Sequence, residues 1–146
     1  MLDMDEQFDD QPLGYLLSRV MFALKADVTA AVLQPLEVAF PEYLCMRVLS
    51  KFPGQSNADL ARALSVSPQA MNMVLRGLED RGLLTRPANV SSGRSLPAQL
   101  TREGEELVKR TDAGVRAAEN RLMANLTEDE RRQFKRTLVR LGIDPF

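Results

Sequence analysis

The chain has 146 residues, of which 45% are hydrophobic and 27% charged, and its formal net charge is −1. This length and balance predict one globular domain with a real hydrophobic core. The absence of histidine disfavours zinc and hydrolytic chemistry, a single cysteine excludes an internal disulfide, and no apolar run is long enough to span a membrane. We therefore expect no catalytic residue, no metal, no cofactor and no membrane partner. The acidic N-terminus is unlike a signal peptide, so a reducing cytoplasm is the expected location.

The first third of the chain changes from acidic to amphipathic. Residues 1–10 hold five acidic side chains, which predicts a mobile acidic tail. From Leu13 to about Leu33, apolar residues recur at steps of three and four, as on one face of a helix that Gln34-Pro35 would end. Further apolar residues widen this face, so we expect it to pack against both its own domain and a partner chain. The main stripe is Leu13, Leu17, Val20, Leu24, Val28 and Ala31.

A second helix is predicted from about Pro41 to Phe52, where Pro53-Gly54 would stop it. Cys45 lies in its middle between apolar neighbours. The thiol has two interpretations, a redox switch or a small buried apolar residue. The second is favoured because no neighbouring base would lower the pKa of the thiol.

Residues 56–82 are typical of a helix-turn-helix. Ser56 and Asp59 match a capping box, Ser65-Val66 would form the turn with Val66 pointing inward, and Ser67-Pro68 is a favourable start for the second helix. Short side chains that donate and accept hydrogen bonds suit base edges in a major groove. The alternative is an ordinary pair of amphipathic helices. The second helix would bury Met71, Val74, Leu75 and Leu78, and expose Gln69, Ala70, Asn72, Met73 and Arg76.

A two-stranded hairpin is predicted directly after this stretch. Residues 83–86 and 96–100 form its short strands, and Pro97 would face an open edge or a bulge because it lacks a donor. A reading helix followed by such a hairpin is a winged helix. Arg94, isolated among small residues at the tip, suits a narrow minor groove. The alternative is a surface hairpin with one stray arginine.

The basic residues are concentrated in the same region. Residues 56–102 contain six arginines against three acidic residues, whereas residues 1–55 contain four basic residues against eight acidic ones. Arginine is favoured for forked contacts to phosphate and guanine. The excess supports a nucleic-acid partner, although a solvated surface would look similar.

Two helices complete the chain. One is predicted from Thr101 to about Leu126, and a capping box at 127–130 would start another with Phe134, Leu138 and Leu141 inward. Together with the first helix they lack a local core. A homodimer built from residues 11–34 and 103–146 would bury them and would set two reading helices about one DNA turn apart.

The order of these elements and four local signatures resemble the MarR family of bacterial transcription regulators. The signatures are residues 57–64 (NADLARAL), residues 78–83 (LEDRGL), Arg86 at the base of the wing, and residues 100–104 (LTREG) after it. The resemblance implies a mainly α fold with a small β-hairpin wing (α+β), as one domain over residues 11–146 with the winged helix-turn-helix at 41–102. It also implies a homodimer that binds a pseudo-palindromic operator in double-stranded DNA, and repression relieved by a small aromatic or phenolic molecule or an oxidant.

Two departures from the family pattern concern the DNA contacts. Ser92 stands where the wing usually has an acid two residues before its arginine, and Met73 stands where the reading helix often has arginine. No charge occurs between residues 63 and 75, so we expect weak non-specific binding and a modest dependence on salt. Gln69, Asn72 and Met73 would read bases, with Arg94 in the minor groove and Arg86 bracing the wing. The predicted DNA-binding set is Ser67, Gln69, Ala70, Asn72, Met73, Arg76, Arg86, Ser92 and Arg94.

An effector pocket is expected between the dimer helices and the winged region, as the resemblance implies. An apolar lining with one arginine would favour a hydrophobic acid or phenol, although the same residues suit a plain core. The predicted lining is Leu16, Val20, Leu24, Tyr43, Met46 and Arg47. A winged helix that docks on a protein partner without reading DNA is the alternative function. An enzyme is disfavoured, because the sequence has no glycine-rich phosphate loop and no metal-ligand spacing.

Overall fold

The structure, a computed structural model, describes residues 9–86 and 97–142. Within these ranges the chain forms six α-helices and one two-stranded antiparallel sheet, which confirms the predicted mainly α fold with a small hairpin. No described helix is both long and apolar enough to cross a membrane. The predicted tail lies mostly outside the described residues. The elements are α1 (Leu13–Val28), α2 (Phe40–Lys51), α3 (Asn57–Ala63), α4 (Pro68–Asp80), β1 (Leu84–Thr85), β2 (Gln99–Leu100), α5 (Arg102–Leu122) and α6 (Glu128–Arg140).

Helix α1 ends differently from the prediction of one α-helix to Leu33. The α-helical segment stops at Val28, a π-helical turn follows over Thr29–Leu33, and a 3-10 turn covers Gln34–Leu36. Pro35 has no N–H with which to continue the ladder, so the helix has to end near this point. The wider π-helical turn precedes that stop.

The π-helical turn changes which side chains are buried. Ala31, predicted on the buried stripe, is exposed, whereas Val32 and Leu33 are buried. The prediction was wrong here because a turn with one extra residue advances the buried face by one position. Val32 packs closely on α5 at Gly114, where an added Cβ atom would lie 2.6 Å from Val32 Cγ2.

The hydrophobic core lies among α2, α3, α4 and α5 and reaches the base of the wing. The predicted inward face of α4 is confirmed, since three of its four residues are fully buried and Val74 packs against the core. Complete burial of such a side chain contributes about 1.5–3 kcal/mol. The largest fully buried side chains are Leu33, Met46, Leu49, Leu60, Met71, Leu75, Leu78, Thr111 and Cys45.

The return strand of the wing is paired on both of its sides. In the sheet, Leu84 is opposite Leu100 in antiparallel register. On the other side, Ala98 N–H donates to Gln55 O over 2.8 Å, and Gly54 N–H donates to Ala98 O over 2.9 Å. Nothing in the sequence around Gln55 indicates this bridge. It ties the base of the wing to the start of the helix-turn-helix.

Thr101 fastens α5 to the same region. Its hydroxyl donates to Gly82 O over 2.7 Å and accepts from Gly104 N–H over 3.1 Å. Its own N–H donates to Leu83 O over 3.1 Å. Leu83 O comes so close to α5 that a Cβ atom at Gly104 would lie 2.2 Å from it. The first turn of α5 therefore packs directly against the residues that lead into β1.

The terminal helices leave apolar side chains uncovered in the single chain. Helix α5 ends at Leu122, short of the predicted Leu126, and α6 has no buried residue. Leu138 and Leu141, predicted to face inward, are 42% and 59% exposed because no element within residues 9–86 and 97–142 covers them. Arg121 of α5 binds Asp27 of α1 with two hydrogen bonds of 2.9 and 2.8 Å. Between α1, α5 and α6 lies the terminal-helix groove, of about 350 Å³, lined by Leu17, Val20, Met21, Leu24, Glu119, Leu122, Met123, Phe134, Lys135 and Leu138.

Candidate nucleic-acid interface

The caps predicted for the helix-turn-helix are present. Ser56 Oγ accepts from Asp59 N–H over 3.1 Å, and Asp59 Oδ2 accepts from Ser56 N–H over 3.2 Å. Hydrogen bonds from the Ser56 side chain and from the Ser56 backbone N–H hold the pKa of the Asp59 carboxyl below its usual range. Ser67 Oγ accepts from Ala70 N–H over 3.1 Å and so caps α4 ahead of Pro68. Each cap of this kind contributes roughly 1 kcal/mol.

The turn itself differs from the prediction. Ser65 adopts a left-handed conformation with φ of 54°. Val66, predicted to point inward, is 36% exposed and borders an apolar pocket. Asn57 Nδ2 donates to Pro68 O over 3.2 Å and joins the two helices directly.

The outer face of α4 carries the predicted reading residues. Gln69, Ala70, Met73 and Arg76 are exposed, and Met73 is 74% exposed. Asn72, between them, is half-buried. A helix surface with an amide, a thioether and small side chains can meet donors, acceptors and methyl groups of bases, and it adds one positive charge, at Arg76.

Arg86 connects the base of the wing to α4. Its Nε donates to Glu79 Oε1 over 2.7 Å, and its Nη1 donates to Asn72 Oδ1 over 3.4 Å. The Arg86 side chain is only 17% exposed. The predicted brace is therefore a contact to the reading helix. Ser92 and Arg94, the other predicted contacts in the wing, lie outside the described residues.

Most of the arginines described in this region are paired, which the excess of arginine in the sequence does not reveal. Arg62 pairs with Asp59, Arg86 with Glu79, and Arg102 with Glu106. Arg81 donates to the carbonyl oxygen of Glu37 over 2.7 Å and lies 3.9 Å from the Glu42 carboxylate. Their acidic partners lower the positive field of the interface. Only Arg76 lacks such a partner among the arginines of residues 56–86 and 97–102.

An apolar pocket of about 410 Å³ lies between α1, α2 and the helix-turn-helix. We call it the turn pocket. Lys25 supplies its one cationic group, and the Lys25 Nζ atom lies 5.2 Å from the centre of the Phe40 ring. Three residues of α4 form one wall, so an occupant would touch the reading helix near its N-terminus. The lining is Met21, Phe22, Lys25, Phe40, Pro41, Leu44, Leu64, Val66, Ala70, Met71 and Val74.

The six residues predicted to line an effector pocket are not brought together in the single chain. Val20 and Leu24 line the terminal-helix groove. Tyr43 and Met46 are buried in the core, where desolvation raises the pKa of the Tyr43 hydroxyl. Arg47 faces α5 and pairs with Asp112 over 2.8 Å. Leu16, the sixth, is half-buried on α1 and lines neither pocket. The periodicity of α1 and α2 identified apolar faces, but it could not show which face borders a cavity.

Cys45 is fully buried, and desolvation raises the pKa of its thiol to about 12. The thiolate is the reactive form, so this environment makes the thiol unreactive. Of the two interpretations of Cys45, the geometry favours the small buried apolar residue.

Comparisons with known proteins agree with this architecture. A family model described as MarR family matches residues 40–96. The HTH-type transcriptional repressor Rv2887 of Mycobacterium tuberculosis is 58% identical over 136 residues, which cover 93% of this chain and 97% of the repressor. A crystal structure of Rv2887 with salicylic acid matches with a TM-score of 0.77 at 58% identity, covering 92% of this chain and 98% of that one. A structure of Rv2887 with DNA gives a TM-score of 0.77 at 52% identity and covers 92% and 100% of the two chains. With the winged helix-turn-helix in place and a relative this similar over nearly its whole length, the chain belongs to the MarR family.

Proposed function

We propose that this protein is a homodimeric transcription repressor that reads a pseudo-palindromic operator with α4. The observation that carries the proposal is the outer face of α4, which is capped, exposed and free of charge from residue 63 to residue 75. Side chains of this kind recognise base edges, whereas a generic polyanion binder would present lysines and arginines. The complex of its relative Rv2887 with DNA supports the same assignment.

The roles of single residues follow from their positions on that face. Gln69, Asn72 and Met73 would contact bases, with Met73 against a thymine methyl group, and Ser67 and Arg76 would contact the backbone or the groove edge. The proposed DNA-binding set is Ser67, Gln69, Ala70, Asn72, Met73, Arg76, Arg86, Ser92 and Arg94.

The terminal helices, over residues 11–34 and 103–146, would form the dimer. The terminal-helix groove is almost wholly apolar, and Leu138, Val139 and Leu141 extend it along an uncovered helix. A second copy would cover these side chains and set the two copies of α4 one DNA turn apart. In sedimentation analysis, Leu138→Glu should convert the dimer to a monomer, whereas Met73→Glu on the exposed face of α4 should leave the dimer intact. A monomeric parent protein would contradict the assembly.

The DNA contacts are tested with two variants that differ in kind. Arg94→Ala should weaken binding to the DNA upstream of the gene at low salt and reduce the salt slope by about one. Asn72→Ala should change the preferred sequence. Lys51→Ala is the control, because Lys51 is an exposed cation on α2, outside the dimer helices and the proposed DNA-binding set. Binding by both variants that matches the parent would refute these roles.

We further propose that an aromatic carboxylate relieves repression by occupying the turn pocket. The pocket combines apolar walls with Lys25, and it touches α4 through Ala70, Met71 and Val74. An occupant would therefore press on the reading helix itself. The complex of Rv2887 with salicylic acid supports an effector of this class. The lining proposed from sequence (Leu16, Val20, Leu24, Tyr43, Met46 and Arg47) would remain the alternative site, if assembly of the dimer opens a cavity there.

A thermal shift with salicylate tests the pocket. At a tenfold excess over Kd, binding should stabilise the parent by about 1.4 kcal/mol, which corresponds to roughly 3–6 °C. Lys25→Met should abolish the shift by salicylate, because the carboxylate loses its counter-charge. Lys51→Met, an exposed lysine outside the pocket, is the control. An equal shift in Lys25→Met would mean that salicylate binds outside the turn pocket. Arg47→Met would then test the alternative lining predicted from sequence.

A protein-docking role for the winged helix is the second candidate. The paired arginines favour it, because they leave the interface with little positive charge for phosphates. Selection from random duplexes separates the two functions. Enrichment of a common sequence supports the repressor, and its absence at modest salt supports the docking module.

A further inference from the structure

The outer face of α4 carries an exposed thioether near its centre. Met73 is 74% exposed and lines neither the turn pocket nor the terminal-helix groove. Its neighbours one helical turn away, Ala70 and Arg76, are exposed as well. A small oxidant in solution therefore reaches the sulfur atom of Met73 without any opening of the fold.

The other sulfur atoms of the described residues are less accessible. Cys45, Met46 and Met71 are fully buried, and burial keeps the Cys45 thiol protonated by raising its pKa to about 12. Met123 is 7% exposed. Met21 is 49% exposed, but it lines the terminal-helix groove that a second copy would cover. In the proposed dimer, the one freely exposed sulfur atom within residues 9–86 and 97–142 thus lies on the surface proposed to read DNA.

Oxidation changes what this side chain offers to a base pair. Hydrogen peroxide transfers one oxygen atom to a thioether: the O–O bond breaks, an S–O bond forms, sulfur loses two electrons, and the remaining oxygen leaves as water with both hydrogens. The apolar thioether becomes a polar sulfoxide that is hydrated in the free protein. The contact proposed for Met73 is a thymine methyl group, which can neither donate nor accept a hydrogen bond. Binding would then strip water from the sulfoxide without replacing it at that methyl group, which is unfavourable.

We propose that Met73 is a reversible oxidation site through which peroxides weaken operator binding. The inference rests on the proposed DNA-reading function and adds to it the residue at which an oxidant acts. Each protomer of the proposed dimer carries the thioether, so oxidation affects both half-sites. Methionine sulfoxide reductases reverse the step. A dithiol supplies two electrons and two protons, becomes a disulfide, and the sulfoxide oxygen leaves as water.

Graded doses of hydrogen peroxide on the purified full chain test the inference. Peptide mass spectrometry identifies the oxidised methionines, and Kd is measured for a duplex that the parent selects from random DNA. One added oxygen at Met73 should weaken binding by about tenfold for each oxidised protomer. A mixture of the two methionine sulfoxide reductases should restore the affinity. Saturating duplex should slow the oxidation of Met73, because the complex covers it, and leave the rate at Met21 unchanged.

Met73→Leu is the decisive variant, because leucine is apolar, similar in size and resistant to peroxide. It should bind the duplex with about the affinity of the parent and keep that affinity after treatment. The variant retains every other sulfur atom of the chain, so its resistance would assign the loss to Met73. Met21→Leu is the matched control and should remain as sensitive as the parent. If Met73→Leu binds no duplex, the slowed oxidation of Met73 in the parent complex and the restoration by reductases decide the matter.

The outcomes are distinct. A Met73→Leu protein that loses affinity after peroxide as the parent does, or a parent whose oxidised Met73 leaves Kd unchanged, overturns the inference and leaves the repressor function in place. Oxidation of Met73 at the same rate with and without the duplex also overturns it. A parent that selects no sequence removes the proposed function as well. A loss of binding that Met73→Leu prevents and the reductases reverse supports the oxidation site.

Discussion

Replacement of Gly104 by alanine should destabilise the protein, although alanine is the better helix former. Gly104 lies in the first turn of α5, and an added Cβ atom there would be 2.2 Å from Leu83 O. A carbon–oxygen contact is normally no closer than about 3.3 Å. The blocking atom is backbone, and the same oxygen accepts the N–H of Thr101 over 3.1 Å. The alanine therefore has to displace the backbone of Leu83, just before β1.

The expected loss follows from three contributions. Overpacking against a backbone atom costs about 1–3 kcal/mol. Weakening of the Thr101–Leu83 hydrogen bond adds about 1 kcal/mol. The higher helix propensity of alanine returns up to about 1 kcal/mol. The net destabilisation of Gly104→Ala is about 2 kcal/mol, which for a chain of this size lowers Tm by about 4–8 °C.

Thermal unfolding followed by circular dichroism measures this loss, at one fixed protein concentration because the proposed dimer makes Tm concentration-dependent. Gly14→Ala is the matched control, since Gly14 lies in the first turn of α1 and a Cβ atom there meets nothing within 4 Å. Its Tm should be unchanged or slightly higher. A Gly104→Ala protein as stable as the parent would show that the close approach to Leu83 is not a constraint, and the reasoning would fail.

Four further outcomes are expected. Cys45 should resist iodoacetamide in the native protein at pH 8 and react once the chain is unfolded; native alkylation at the unfolded rate would contradict its burial. Because burial raises the pKa of Cys45 from 9.0 to about 12, its contribution to stability is full below pH 9 and is lost as the pH rises toward 12, which denaturant titrations against pH can follow. The hydrogen bond from Arg121 lowers the pKa of the Asp27 carboxyl. The contribution of this ion pair to stability is therefore full above the usual value of 3.8 and disappears as the pH falls. Arg121→Gln should flatten the acid limb of the curve of stability against pH, and an unaltered limb would refute the pairing. Arg76→Ala should reduce the salt slope of operator binding by about one, and a slope equal to that of the parent would remove Arg76 from the phosphate contacts.

Local features of the fold were predictable from sequence because their causes are local. The caps at Ser56, Ser67 and Thr127 bond to groups three residues away, so a short pattern identifies them. The buried face of α4 follows from helical spacing, and the structure confirms it. The family signatures at 57–64 and 78–83 cover the same local elements.

Features that depend on distant partners were not predictable in this way. The bridge between Gln55 and Ala98 joins residues on either side of the helix-turn-helix, and nothing near Gln55 in the sequence indicates it. Arg81 has its acidic partner, Glu42, on another helix, and the sequence does not show this pairing. The arginine excess in the sequence therefore overstates the positive charge that is free to contact DNA. Val66 was predicted to point inward from its apolar character alone, whereas its exposure depends on the pocket beside it.

The pairing of the return strand on both of its sides limits how an effector could act. Strand β2 pairs with β1 on one side, Ala98 bonds to Gly54 and Gln55 on the other, and the Thr101 N–H binds Leu83 O. The base of the wing and the start of the helix-turn-helix are therefore held together, and in the proposed dimer they would move as one unit. An effector would then act on the separation and tilt of the two halves. The length of the spacer between the proposed half-sites, and not the sequence within them, would be the operator property to which induction responds.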